Sequence, residues 1–168
     1  WEKRGRVQGL RVVFVGDGNN VCASWLQGAA KMGMHFTLAC PKGYGPDPGL
    51  LARAEAQARV SGATLAVVHD PAAAARGADV LYTDVWTSMG QEEERARRLK
   101  DFQGFQVDDA LVRLAAPDAL VMHCLPAHRG EEITDEVIEG PHSIVFDEAE
   151  NRLHLQKAIL VTLLGGNK

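Results

Sequence analysis

Short apolar runs alternate with helical stretches along the first 123 residues. The run "RVVFVG" at residues 11–16 is rich in β-branched residues and predicts a strand, and residues 20–32 then show helical spacing that Gly33 can end. Further strands are predicted over 35–40, 64–68, 79–83 and 119–123. Parallel strands need crossover connections, so this order predicts a doubly wound, Rossmann-like α/β fold: a parallel sheet of about five strands with helices on both faces.

Two of the predicted helices begin with an aspartate followed by a proline. Asp47 precedes a helix that runs to Gly62, and Asp70 precedes the short helix "PAAAAR"; aspartate accepts at an N-cap and proline suits the first turn. The segment "EEERARRLK" predicts a polar helix with a solvated face and i,i+4 pairs, and a short helix is expected around 109–114.

The last predicted helix begins with a capping-box pattern and ends apolar. Asp147 is expected as its N-cap, with Glu150 three positions on. Residues 159–164 are apolar on nearly all sides, which is more than one face of a surface helix requires. This end is therefore either buried within the domain or covered by something outside it.

Composition narrows the class of protein. The 168 residues are 46% hydrophobic and 24% charged, enough for one domain with a full core. A net charge of -4 with interspersed signs gives no broad basic face, so neither nucleic acid nor a membrane surface is an expected partner. The three cysteines form no C-x-x-C pair, which favours a reducing, cytoplasmic location.

Three loops that follow predicted strands carry the candidate chemistry: "GDGNN", "DVWTSMG" and "HCLPAHRG". In doubly wound sheets ligands bind at the carboxyl ends of the strands, where the strand order reverses. The first loop starts like the dinucleotide fingerprint G-x-G-x-x-G, but Val21 replaces its third glycine. Cys40 occupies the place at the end of the second strand where an acid that binds the ribose is expected. A dinucleotide-binding domain is thus a weak alternative, whereas the helix N-terminus suits a carboxylate, helped by an amide from Asn19 or Asn20.

The second loop has a pattern that suits a zwitterion. Asp84 follows its strand directly, so a carboxylate held at the sheet edge can bind an ammonium group. Ser88 and Met89 lie where the chain turns back, and a hydroxyl with a backbone N–H there can meet a carboxylate. The alternative is local: Asp84 forms an Asx turn and Ser88 caps the next helix.

The third loop places His123 beside Cys124. A nucleophilic cysteine needs a base that faces it, and a preceding strand residue should point the other way, so adjacency is weak evidence for a dyad. The spacing to His128 is not that of structural zinc. Pro126 predicts an extended Leu125 whose carbonyl can accept from a substrate N–H, with the thiol as a weakly polar wall.

The motifs "VGDGNNV", "DVWTSMGQEEE", "HCLPAHRGEEIT" and "FDEAENRLH" together resemble the second half of the ornithine carbamoyltransferase family. The resemblance implies no metal or organic cofactor. It implies that the α-amino and α-carboxylate groups of L-ornithine are held by Asn20, Asp84, Ser88 and Met89. It further implies that Cys124 and Leu125 lie at the side-chain amine, that Arg152 contacts the carbamoyl oxygen, and that His123 is structural. Asp84, Cys124 and Arg152 are the expected catalytic group.

The same resemblance implies the reaction and the partners. Ornithine carbamoyltransferases pass the carbamoyl group of carbamoyl phosphate to the δ-amine of ornithine, giving citrulline and phosphate, a step of arginine biosynthesis. The family carries an N-terminal domain with an S-x-R-T-R phosphate motif, absent from this sequence, and forms homotrimers. Residues 1–10 are thus expected to be a linker remnant, 11–147 the ornithine-binding domain, and 148–168 a helix that packs on the absent domain.

The chain alone is expected to be inactive. The alternative from another class is a non-catalytic amino-acid-binding or regulatory module that keeps the fold.

Overall fold

The structure is a computed structural model that describes residues 1–88, 90 and 92–165. Met89, one of the expected site residues, lies outside the described residues. Within these ranges there are five strands: β1 (Arg11–Val15), β2 (His35–Ala39), β3 (Thr64–Val68), β4 (Val80–Thr83) and β5 (Leu120–His123). In the same part of the chain the α-helices are α1 (Asn20–Met32), α2 (Pro48–Ser61), α3 (Pro71–Ala75), α4 (Arg95–Asp101), α5 (Asp109–Val112), α6 (Asp135–Ile138) and α7 (Val145–Leu164).

All five strands are parallel, in the order β3-β2-β1-β4-β5. The chain therefore runs outward from β1 in one direction and from β4 in the other, and the strand order reverses between these two strands. Val15 pairs with Thr83, and Thr83 pairs with His123, so β1, β4 and β5 end at one level. The register thus brings the three suspected loops to the same edge of the sheet.

Side chains alternate along the strands between two apolar layers, as expected for a sheet covered on both faces. Val12 and Phe14 face a layer built with α1 and α2, whereas Val13 and Val15 face a layer built with α3, α5, α6 and the start of α7. The predicted doubly wound α/β fold is confirmed.

The predicted helix ends at aspartate and glycine are confirmed. Asp47 accepts from the Leu50 N–H at 2.7 Å, and Asp70 accepts from the Ala73 N–H at 2.9 Å. Gly33 and Gly62 end α1 and α2 with φ values of 71° and 79°, a left-handed conformation that glycine adopts without steric cost.

The predicted start of α7 was wrong. The helix begins at Val145, two residues before Asp147, and no side chain caps it. Tertiary contacts determine this start: the Ile144 N–H bonds the Val121 carbonyl of β5 at 2.9 Å, and Val145 is fully buried. Asp147 instead lies in the first turn, where a carboxylate is still favourable, and it pairs with Lys3 at 2.8 Å.

Beyond its first turn, α7 stands away from the domain. Every residue from 149 to 165 is exposed. The exposed apolar side chains include Leu153, Leu155, Ile159, Leu160, Val161, Leu163 and Leu164. Burial of this helix end within the domain, one of the two alternatives, is therefore wrong. Among the described residues, no helix has the length and apolar character that a membrane span requires.

Candidate functional site

Side chains from the three loops meet above the ends of β1, β4 and β5. Asp84 is the first residue after β4 and is only 6% exposed. Its Oδ2 accepts from the Asn19 side-chain amide at 2.8 Å, and its Oδ1 accepts from the Cys124 thiol at 3.1 Å. One carboxylate thus joins the loops after β1 and β5 at the point where the strand order reverses.

Asn19 both caps α1 and contacts the site. Its Oδ1 accepts from the backbone N–H groups of Val21 and Cys22, both at 3.0 Å, which leaves its NH2 group to donate to Asp84. Asn20 is the first residue of α1 and is exposed, and its carbonyl accepts from Ser24 Oγ at 3.0 Å. The amide that contacts Asp84 is therefore that of Asn19, one of the two asparagines that the sequence offered, and the exposed Asn20 follows it in the chain.

Close backbone packing explains the glycine of the first loop. A Cβ atom on Gly18 would lie 2.5 Å from the Gly45 carbonyl carbon and 2.6 Å from the Pro46 nitrogen, which is closer than such atoms approach. Gly18 therefore allows the loop after β1 to lie against the loop after β2. The glycine needs no bound phosphate to account for it.

Asp84 makes a local contact as well as the long-range ones. Its Oδ1 also accepts from the Val85 N–H at 2.8 Å, so within the described part of the chain the carboxylate receives three hydrogen bonds. These bonds offset part of the cost of burying its charge. Ser88, four residues on, is partly buried in the same segment.

The Cys124 thiol is neutral near pH 7. Burial, followed by the charge of the adjacent Asp84, raises the pKa of Cys124 to about 12. A thiol with such a pKa donates a hydrogen bond and is a poor nucleophile. Its environment thus suits a pocket wall.

His123 serves the third loop and is not a base for the thiol. The ring is fully buried; its Nδ1 accepts from the Leu125 N–H at 2.9 Å, and its Nε2 lies 3.2 Å from Glu132 Oε1. Since Nδ1 is an acceptor, a neutral ring carries its hydrogen on Nε2 and donates it to Glu132. Both ring nitrogens are therefore engaged in holding the loop.

The predicted extended conformation of Leu125 was wrong. Its φ is +54°, in the left-handed region that non-glycine residues rarely adopt. The bond from its N–H to His123 turns the chain back at this point. Such a conformation costs on the order of 1 to 3 kcal/mol, which the surrounding contacts must offset.

Two groups of potential metal ligands occur among the described residues. The ligand atoms within each group lie within 4.8 Å of one another. In the first, Asp84, His123 and Cys124, the ring nitrogens and the thiol hydrogen are already engaged as described above. In the second, His128, Glu131 and Glu132, Glu131 pairs with Arg95 and Glu132 accepts from the His128 N–H at 2.6 Å.

Arg152 reaches the site from α7. It lies on the exposed part of the helix and lines a cleft of about 490 Å3 together with Cys124 and Glu148. The structure thus brings Arg152 to the same cleft as the thiol, although the two residues are 28 positions apart in the sequence.

Tyr82 and Glu148 are part of this region and were missed by sequence reasoning. The Tyr82 hydroxyl donates to Glu148 Oε1 at 2.8 Å. Burial is the main cause that raises the pKa of both groups, and the Glu148 charge adds to the effect on Tyr82. The motif "FDEAENR" contained a signal for Glu148, but only its arginine was assigned a role.

Arg98 corrects the prediction of a solvated α4. Its guanidinium is buried and donates to Asp17 Oδ2 at 2.6 Å and to the Trp86 carbonyl at 3.0 Å. It also lies over the Tyr44 ring, 5.1 Å from the ring centre. The predicted i,i+4 pairing does occur, with Glu94 at 3.0 Å. One arginine thus connects the loops after β1, β2 and β4.

Comparisons with known proteins find relatives over nearly the whole chain. Residues 8–163 match the family model described as "Aspartate/ornithine carbamoyltransferase, Asp/Orn binding domain". The chain is similar to the ornithine carbamoyltransferase of Gloeobacter violaceus, at 58% identity over 98% of the chain and 53% of that protein. It is also similar to the anabolic ornithine carbamoyltransferase of Pyrococcus furiosus, at 53% identity over 100% of the chain and 53% of that protein.

Solved structures show the same likeness. The ornithine carbamoyltransferase from Pyrococcus furiosus gives a TM-score of 0.94 at 53% identity, covering 100% of this chain and 54% of that one. The enzyme from Gloeobacter violaceus gives 0.89 at 53% identity, covering 97% and 54%. The chain spans about half the length of the curated relatives that it matches.

Proposed function

Because this chain belongs to the aspartate/ornithine carbamoyltransferase family, we propose that it is the ornithine-binding part of an ornithine carbamoyltransferase. The full enzyme would transfer the carbamoyl group of carbamoyl phosphate to the δ-amine of L-ornithine, giving citrulline and phosphate. The observation that carries the proposal is the buried Asp84 carboxylate, which joins Asn19 and Cys124 where the strand order reverses.

The amino-acid end of ornithine binds at the loops after β1 and β4. Asp84 pairs with the α-ammonium group, and Asn20, Ser88 and Met89 complete the contacts to the α-amino and α-carboxylate groups. The buried position of Asp84 supports its part, because an ion pair of low exposure is screened less than one on the surface. The N-terminus of α1, a helix of 13 residues beside this loop, favours a carboxylate.

The side-chain amine of ornithine lies at Cys124 and Leu125. The neutral amine attacks the carbonyl carbon of carbamoyl phosphate, a tetrahedral oxyanion forms, the C–O bond to phosphate breaks, and the departing phosphate takes up the proton that the amine loses. Arg152 stabilises the oxyanion, and the site contributes by orienting the amine. The raised pKa of Cys124 supports a thiol that lines the pocket without forming a covalent intermediate.

The carbamoyl phosphate half of the site belongs to another domain. The exposed apolar residues of α7 support this part of the proposal, because so many leucines on one helix normally face a partner. Residues 148–168 would pack on that domain, 1–10 would be the connecting segment and 11–147 the ornithine-binding domain. A homotrimer, a cytoplasmic location and a role in arginine biosynthesis complete the proposal.

Reconstitution tests this function. The chain is mixed with the remaining half of one of the relatives above, and citrulline formation is measured alongside calorimetric titration with ornithine. We expect citrulline only in the mixture, and weak ornithine binding by the chain alone. Tight binding without turnover in the mixture would favour the non-catalytic amino-acid-binding module, and hydride transfer to a nicotinamide would overturn both.

A further inference from the structure

Helix α7 is anchored at one end only. Val145 is buried in the core, whereas the helix is exposed from residue 149 onward. The polar contacts of its first two turns include Asp147 with Lys3 and Asn151 with Glu2, both on the surface. Exposed pairs of this kind contribute little to stability, so they fix the position of α7 only weakly.

The contact between Tyr82 and Glu148 is of a different kind, because its donor belongs to a buried ring that packs against two other aromatic rings. Tyr82 is 2% exposed in β4, and its ring lies 5.4 Å from that of Phe14 and 5.0 Å from that of Trp25. The hydroxyl is therefore a fixed point at the end of the sheet, and Glu148 accepts from it at 2.8 Å. This partly buried bond joins α7 directly to the sheet.

The geometry of α7 links the Tyr82–Glu148 contact to the position of Arg152 in the cleft. Residues four apart lie on the same face of a helix, so Arg152 projects on the side of α7 on which Glu148 contacts Tyr82. Glu148 and Arg152 both line the cleft that Cys124 lines. A rotation or shift of the first turn would therefore move Arg152 relative to the thiol.

We propose that Glu148 is a positioning residue: by accepting the hydrogen bond from Tyr82, it fixes the first turn of α7 and thereby presents Arg152 to the cleft beside Cys124. The inference rests on the proposed function insofar as Arg152 acts on the carbamoyl group. The position of the helix, however, can be measured without any activity.

A distance measurement tests the anchor on the chain itself. Spin labels are attached to Arg152→Cys and Arg113→Cys, and the distance distribution between them is recorded. We expect Glu148→Ala and Tyr82→Phe to broaden or shift it, and Glu148→Gln, whose amide oxygen still accepts from Tyr82, to leave it unchanged. A control pair at Arg59→Cys and Arg113→Cys, away from α7, should not respond. An unaltered distance in both Glu148→Ala and Tyr82→Phe would overturn the proposal.

Kinetics of the reconstituted enzyme supply the second test. Because misplacement of a group by about 1 Å can cost up to about a hundredfold in rate, we expect Glu148→Ala to lower kcat at least about tenfold. The ornithine KM should stay within about threefold, and Glu148→Gln should restore kcat. A loss in Glu148→Gln as large as in Glu148→Ala would show that charge matters and position does not. Inactivity of the unmodified mixture would count against the proposed function and leave the distance test intact.

Discussion

The two sides of the candidate site are held in different ways. On the side of β1, β2 and β4, the buried Arg98 ties three loops together through Asp17, the Trp86 carbonyl and the Tyr44 ring. On the other side, α7 carries Arg152 on a helix that is exposed beyond its first turn. The part proposed to bind the amino acid is therefore held by buried contacts, whereas the part proposed to act on the carbamoyl group lies on a helix that contacts the domain mainly through its first turn.

The largest effect is expected at Arg98, because its removal leaves the partly buried Asp17 without its cation. Arg98→Met should lower the free energy of unfolding by about 3 to 5 kcal/mol, the usual cost of breaking a buried ion pair from one side. Denaturant titration of the chain measures it. Arg113→Met, which removes an exposed i,i+4 pair with Asp109, is the matched control and should change stability by less than about 1 kcal/mol. Equal losses of stability in the two variants would contradict the view that Arg98 holds the loops more strongly than a surface ion pair holds its helix.

The next largest effect is expected on ligand binding at Asp84. In the reconstituted mixture, Asp84→Asn should weaken ornithine binding by about 2 to 5 kcal/mol, because an ammonium group loses its buried partner charge. Calorimetry measures the change, and Asp109→Asn, an exposed carboxylate on α5, serves as the control. A loss of binding free energy below about 0.5 kcal/mol would mean that Asp84 only shapes the turn through Val85. The side of the site held by Arg98 would then not bind the amino acid.

The positions of the three loops were predictable from the sequence, whereas the contacts that hold them were not. Strand-end loops are set by the parallel order of the strands, and that order follows from the alternation of apolar runs with helices. Arg98 was predicted to be a surface residue because the charges around it fit a solvated helix. Its partner Asp17 lies 81 positions away, so the local pattern gave no sign of the contact. The predicted start of α7 was wrong for the same reason. Asp147 has good local capping chemistry, but the helix begins at Val145 because the preceding residue bonds to β5.

Cys124 lies between the two sides, because it donates to Asp84 and lines the cleft with Arg152. Its reactivity tests a smaller and more local effect. With a pKa of about 12, the thiol is almost entirely protonated at pH 8, so alkylation by iodoacetamide should be slow compared with that of a free cysteine. The reactive thiolate appears only as the pH approaches 12. Asp84→Asn should lower this pKa, because the Asp84 carboxylate is the second cause of its rise after burial, and alkylation at a fixed pH should become faster. A pH profile of the alkylation rate, mapped to Cys124 by mass spectrometry, measures it. Fast alkylation of the unmodified chain at pH 7 would restore the nucleophilic alternative.

The smallest effect on the chain alone is expected at the exposed face of α7. Leu163 is 74% exposed and Leu164 is 79% exposed, so replacing both with glutamine removes few contacts in this chain. The free energy of unfolding should therefore change by less than about 0.5 kcal/mol, as for other surface substitutions.

If α7 packs on the other half of the enzyme, the same double variant should weaken association in the reconstituted mixture, because each buried leucine contributes about 1.5 to 3 kcal/mol. Thermal unfolding of the chain and sedimentation of the mixture separate the two outcomes. A large loss of stability in the chain alone would show that α7 is held by more than its first turn, and the contrast between the two sides of the site would disappear.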